Sequence, residues 1–198
     1  MEKSQVVIGS DEAGKGEWLG PMTIVAVALT PAQGSYLVTQ GVMDSKELKI
    51  ETIMTLSNVI EKKCLGYHIV TITPQRFNEF LQEVKTEGKS LNDILAWAHA
   101  KAISEVYAKL RSKEFSAKIK VVIDEFDKLK TEERLKRVLE LSQLLFEQKP
   151  RAEEETAVAA ASILARAARE RWIDKESERL GLDLRKISIR EALIHRNA

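Results

Sequence analysis

Apolar residues in this chain fall into short runs near the N-terminus and into helical spacing further on. Val6-Val7-Ile8 and Met22 to Leu29 read as strands, the second rich in β-branched Thr23, Ile24, Val25 and Val27, and the glycine-bearing stretch between them suggests a hairpin-like pair. Pro31 to Val42 reads as a connection containing Pro, Gly and Ser. Asp44 and Glu47 have the spacing of a helix N-cap and its return partner, so Lys46 to Lys63 is expected to be helical. Tyr67 to Thr73 is the next strand, ended by Pro74. Leu91, Ile94, Leu95, Ala98, Ala102 and Ile103 recur at helical spacing and predict an amphipathic helix over Leu91 to Leu110. Ile119 to Ile123 reads as a buried strand ending at Asp124; a charged helix and a strand around Leu144 to Gln148 follow, and Thr156 to Arg179 is a long alanine-rich helix. Strands and helices alternate after the opening pair, which gives an α/β class with a mixed central sheet of about five strands flanked by helices.

Composition narrows the chemistry. At 198 residues the chain fits one domain, and no internal repeat or domain-splitting linker interrupts it. No apolar run approaches the roughly 18 residues that span a bilayer, and the N-terminus lacks the plan of a signal peptide, so no membrane partner and a cytoplasmic location are expected. The single cysteine, Cys64, excludes an internal disulfide and a cysteine-rich zinc site. His68, His99 and His195 are scattered without ligand spacing. Any metal must therefore be held by oxygen, which favours magnesium or manganese. Net charge is only +1, so the chain is not a globally basic nucleic-acid binder; a local basic stretch runs from Arg185-Lys186 to His195-Arg196.

The densest chemistry lies in Gly9-Ser10-Asp11-Glu12-Ala13-Gly14-Lys15-Gly16, where adjacent carboxylates sit among glycines. The stretch imitates the start of the phosphate loop G-x-x-x-x-G-K-[ST]. Gly16, however, has no hydroxyl for magnesium, and Asp11 and Glu12 bring the wrong sign to a phosphate site. An NTPase stays open as an alternative, because Val121 to Glu125 also resembles an apolar strand ending in acid. Asp124 and Glu170 are the other acids at the end of, or along, apolar elements. Together with Asp11 and Glu12 they make the inventory of a two-metal phosphoryl-transfer site. Each also has a plainer use: turn residues for Asp11 and Glu12, a helix cap for Asp124, and an ion pair with Arg166 for Glu170.

The order of these residues and the words around them resemble the type II/type III ribonuclease H family. Ser10 to Gly16 followed by Gly20-Pro21 looks like its opening signature, Asp44-Ser45-Lys46 its second block, and Leu91-Asn92 to His99 its helical block. Ile123-Asp124 looks like the strand with its third acid, and Ala157 to Arg166 followed by Arg169-Glu170 looks like its final block. The resemblance implies a ribonuclease H-like fold and a metal-dependent endonuclease that cuts the RNA strand of RNA/DNA hybrids, leaving 5′-phosphate and 3′-hydroxyl ends. It assigns Asp11, Glu12, Asp124 and Glu170 as catalytic ligands of two Mg2+ or Mn2+ ions. Gly14, Lys15 and Gly16 are expected to meet the ribose strand, with Ser45, Lys46 and Ser162 as further substrate contacts. Lys46 is otherwise a surface lysine, and Ser162 a small residue that permits close helix packing. Lys15 between the glycines and Glu170 in place of aspartate favour type III.

Two departures accompany the resemblance. Type III enzymes usually carry an extra N-terminal substrate-binding domain, whereas here the signature begins within the first dozen residues. A single catalytic domain over residues 1–198, acting as a monomer, is expected, with hybrid affinity supplied by the basic C-terminal segment or an accessory protein. Type II enzymes usually place a substrate-contacting tyrosine beyond the fourth acid, but the last tyrosine here is Tyr107, so the resemblance leaves activity at a single embedded ribonucleotide open. A non-catalytic nucleic-acid-binding relative is the other alternative, although such a protein has no chemical need of all four acids.

Overall fold

The computed structural model describes residues 5–43, 48–88, 90–112, 118–124, 144–149 and 152–194. At its centre runs strand β1 (Gln5–Ala13), which by alternation sends Val6, Ile8 and Ser10 to one face and Val7, Gly9, Asp11 and Ala13 to the other. Strand β2 (Met22–Leu29) pairs antiparallel with β1, and β3 (Gly66–Ile72) antiparallel with β2. On the other side, β4 (Lys118–Asp124) and β5 (Leu144–Lys149) extend the sheet in parallel. The described residues form the expected mixed sheet, with five strands in the order β3-β2-β1-β4-β5. β2 is buried along its whole length, which explains a sequence apolar at every position but Thr23.

Helices cover both faces. On one, Ile8, Ile24 and Val121 share a core with Leu95, Ala98 and Ile103 of α4 (Leu91–Arg111), and α3 (Pro74–Thr86) adds Phe77 and Phe80. On the other, Val25 and Val27 share a core with Ile53 and Ile60 of α2 (Ile50–Lys63) and with the alanines of α5 (Thr156–Leu180). Those alanines let the helix come very close. A Cβ placed on Gly9 would stand 2.2 Å from the Ala157 carbonyl carbon, so the first turn of α5 lies directly on β1.

Some boundaries differ from the sequence pattern. β1 continues past Ile8 to Ala13 because β2 stays paired with it as far as Ala13 and Thr23, which puts Asp11 and Glu12 in the strand rather than in a turn. The presumed connection after Pro31 contains helix α1 (Pro31–Thr39). Its start is a capping box: the Gln33 N–H donates to Thr30 Oγ1, and the Thr30 N–H donates to Gln33 Oε1. Pro74 likewise opens α3 as well as ending β3, a first-turn use that its fixed φ favours. Helix α2 begins at Ile50, with Lys49 at the cap position. The proposed cap pair Asp44 and Glu47, the substrate candidates Ser45 and Lys46, and the charged helix after Asp124 lie outside the described residues.

Candidate active site

The last residues of β1 carry two acids into different surroundings. Asp11 faces α5, where Ser162 hydrogen-bonds its carboxyl, and the Glu12 N–H donates to Asp11 Oδ1 at 2.9 Å. Burial and then the negative charge of Glu12 push the Asp11 carboxyl up from 3.8 to about 7, against the opposing pull of Ser162, the Glu12 amide and His99. Glu12 faces α4 instead. Its Oε2 lies 3.2 Å from His99 Nε2, and its Oε1 lies 3.6 Å from Lys15 Nζ. Burial pushes Glu12 up, but His99 and Lys15 outweigh it and hold the group below the ordinary carboxylate range.

The parallel register brings the third acid alongside. Ser10 pairs with Ile123, so the next residue on each strand places Asp124 beside Asp11 at the same end of the sheet. The Asp124 side chain itself lies outside the described residues. Glu170 sits on α5 about two turns beyond Ser162. It is held by arginines: Arg185 Nε and Nη2 donate to its Oε2 at 3.1 and 2.8 Å, and Arg169 Nη1 reaches its Oε1 at 3.4 Å. Among the described residues, no three His, Cys, Asp or Glu side chains converge as a ready-made metal cage.

Gly14, Gly16 and Gly20 all have positive φ (91°, 83° and 87°), the left-handed region open to glycine, and so shape the loop between β1 and β2. Lys15 extends from this loop toward Glu12. Ser162 is buried against Asp11, so it reaches the acid rather than the outer surface. Trp18 is exposed and lines a groove of about 420 Å³ with Lys15, Gly16 and Phe77, between the glycine loop and α3.

A family model described as Ribonuclease HII matches residues 8–188. The chain belongs to this family. A relative named Ribonuclease HIII from Protochlamydia amoebophila is 40% identical over 163 residues, covering 81% of this chain and 50% of its own length. Another Ribonuclease HIII, from Chlamydia pneumoniae, is 34% identical over 180 residues and covers 90% of this chain and 57% of its own length. The chain thus spans about half the length of the curated relatives it matches. Among solved structures, Bst-RNase HIII in complex with Mn2+ superposes with a TM-score of 0.73 at 25% identity, covering 91% of this chain and 56% of that one. The ribonuclease H2 of Pyrococcus horikoshii OT3 gives 0.70 at 25% identity, covering 89% of this chain and 77% of that one. These relatives place the chain with the type II/type III ribonucleases H, on the type III side.

Two residues to which the motif reading gave no role also pack into the candidate site. His99 is buried on α4 and bridges two residues of β1: its Nδ1 lies 2.8 Å from Ser10 Oγ, which donates to the Val25 carbonyl of β2, and its Nε2 meets Glu12. Its scattered position in sequence concealed this, since only the pairing of α4 with β1 brings it to the acids. Arg169 Nη2 donates to the Leu19 carbonyl at 2.7 Å, and its buried Nε packs 3.3 Å from where a Gly14 Cβ would stand. It thereby ties the glycine loop to the helix that carries Glu170. The one sequence signal for Arg169 is its place beside that acid.

The raised Asp11 value has a consequence for stability. A carboxyl that binds its proton more tightly when folded contributes fully below about pH 4, and that contribution is lost as pH rises from 3.8 toward 7. In chelator, the wild-type melting temperature is therefore expected to fall relative to Asp11→Asn between about pH 4 and about pH 7, by the equivalent of a few kcal/mol at most. Parallel melting curves for the two proteins would refute the burial of this carboxyl.

Proposed function

We propose that the chain is a metal-dependent endonuclease that hydrolyses the RNA strand of RNA/DNA hybrids and leaves 5′-phosphate and 3′-hydroxyl ends. The observation that carries this reading is Asp11: a buried carboxyl, beside a second carboxyl and at the strand end next to Asp124, is destabilised without a cation. An all-oxygen donor set of Asp11, Glu12, Asp124 and Glu170 fits hard divalent ions, Mg2+ or Mn2+. A related ribonuclease HIII was crystallised with Mn2+. When bound as a pair, such ions activate the attacking water and stabilise the leaving oxygen.

The chain's own residues supply the rest. Ser162 and the Glu12 amide orient Asp11, while His99 and Lys15 keep Glu12 ionised. Gly14, Lys15 and Gly16 let the backbone approach the wide minor groove of the hybrid, where the ribose 2′-OH distinguishes RNA from DNA. Ser45 and Lys46 are proposed to hold a phosphate of the cut strand. The water oxygen bonds to phosphorus, the bond to the 3′-oxygen breaks, and that oxygen takes up the proton.

Purified protein incubated with labelled hybrid, duplex DNA and duplex RNA, in magnesium and then in manganese, is expected to cut the hybrid alone and leave 5′-phosphate ends. Equal cutting of duplex RNA, or ATP turnover without nucleic-acid cleavage, would count against the reading.

A further inference from the structure

Helix α5 ends at Gly181, whose φ of 66° lets the chain reverse. The reversal is pinned. The Leu182 N–H donates to the Ser177 carbonyl at 3.1 Å, the Leu184 N–H donates to Ser177 Oγ at 3.1 Å, and the Leu184 side chain is buried. Arg185 is thereby carried back along the helix to two acids one turn apart. Its Nε and Nη2 both donate to Glu170 Oε2, and its Nη1 donates to Asp174 Oδ1.

Two like charges four residues apart on a helix repel each other, and a guanidinium between them removes that repulsion. Its rigid fork also does something a point charge cannot. It occupies Glu170 Oε2 with two hydrogen bonds, and among the described residues Oε1 keeps the 3.4 Å contact from Arg169. The third arm of the fork, Nη1, is anchored on Asp174, which fixes the plane in which the guanidinium meets Glu170. We propose that Arg185 is a positioning residue that fixes the Glu170 carboxylate and presents its Oε1 to a divalent cation. The arginine thus belongs to the site and not to a free basic surface. Lys186 next to it pairs with Asp183 at 2.9 Å. The inference rests on Glu170 being a metal ligand.

The test is Mn2+ binding by calorimetry, with melting temperature alongside, on wild type, Arg185→Ala, Arg185→Lys, Glu170→Gln and the double variant Glu170→Gln with Arg185→Ala. Loss of a residue that orients a ligand typically weakens metal binding about 10–100-fold. That loss is expected for Arg185→Ala, and a smaller one for Arg185→Lys, which keeps the charge but not the fork. In the Glu170→Gln background, Arg185→Ala should change Mn2+ affinity no further. Wild-type or tighter Mn2+ binding by Arg185→Ala overturns the proposal, as does an equal loss in the Glu170→Gln background. Should Arg185→Ala fail to fold, wild-type affinity in Arg185→Lys overturns it instead. Unchanged affinity in Glu170→Gln overturns the ligand reading of Glu170 and the positioning role with it. The two failures are distinguishable, because only the second appears in the single Glu170 variant.

Discussion

Asp11→Asn is expected to lower hybrid cleavage by on the order of a thousandfold, equivalent to about 4 kcal/mol of transition-state stabilisation. The substitution keeps the shape and the hydrogen-bonding reach toward Ser162 but removes the charge that would hold a cation. It also removes the penalty of burying that charge, so the metal-free variant should melt no lower than wild type at neutral pH. Loss of activity with unchanged or higher stability separates a missing ligand from a damaged fold. Asp124→Asn is expected to match it, since the register sets Asp124 beside Asp11. His99→Ala acts through Glu12, so its expected loss is smaller, about 10–100-fold. These values are read as kcat/KM on labelled hybrid, with a melting curve for each variant. Cleavage that survives Asp11→Asn would falsify the assignment of the metal site.

The sequence pattern and the structure agree where one force decides. β2 and the Val121–Ile123 part of β4 are apolar because the sheet buries them, and α4 and α5 carry their apolar stripe or alanine run over many turns. Agreement fails at the edges of elements. Val6 to Ile8 marks only the apolar part of β1, because a strand that ends in a site gives up hydrophobic positions while its backbone pairing continues to Ala13. Helix α1 was hidden by Pro31, Gly34 and Ser35, although Thr30 and Gln33 hold its capping signal. Asp11 and Glu12 stand out in sequence because two acids among glycines are costly to bury. His99, Arg169 and Arg185 do not, since their roles depend on contacts across roughly 90, 150 and 15 residues of chain that no local pattern encodes. Arg185 in particular reads as part of a basic tail until the turn at Gly181 is seen to bring it back onto Glu170.

Gly9→Ala is the substitution expected to damage the fold most for its size. A Cβ there would meet the Ala157 carbonyl carbon at 2.2 Å, the Val158 nitrogen at 2.3 Å and the Ala157 carbonyl oxygen at 2.5 Å, all of them backbone atoms that cannot rotate away. Helix α5 would have to lift from β1. That displacement would strain the Asp11–Ser162 contact and the hydrogen bond from Thr23 Oγ1 to the Ala165 carbonyl at 2.8 Å. Overpacking a side chain usually costs about 1–3 kcal/mol, and a clash with helix backbone should reach or pass the top of that range. Against a typical stability of about 5–15 kcal/mol, this is a large fraction of the whole. Two other glycines separate the causes. Gly16→Ala meets nothing within 4 Å but must adopt a φ of 83°, so it should cost only about 1–2 kcal/mol of backbone strain. Gly66→Ala has open space and no positive φ, and should be close to neutral. Urea or thermal unfolding of the three variants should therefore rank them Gly9, Gly16, Gly66 in order of decreasing damage. If Gly9→Ala unfolds like Gly66→Ala, the first turn of α5 cannot rest on β1 as described, and the placement of Ser162 against Asp11 falls with it.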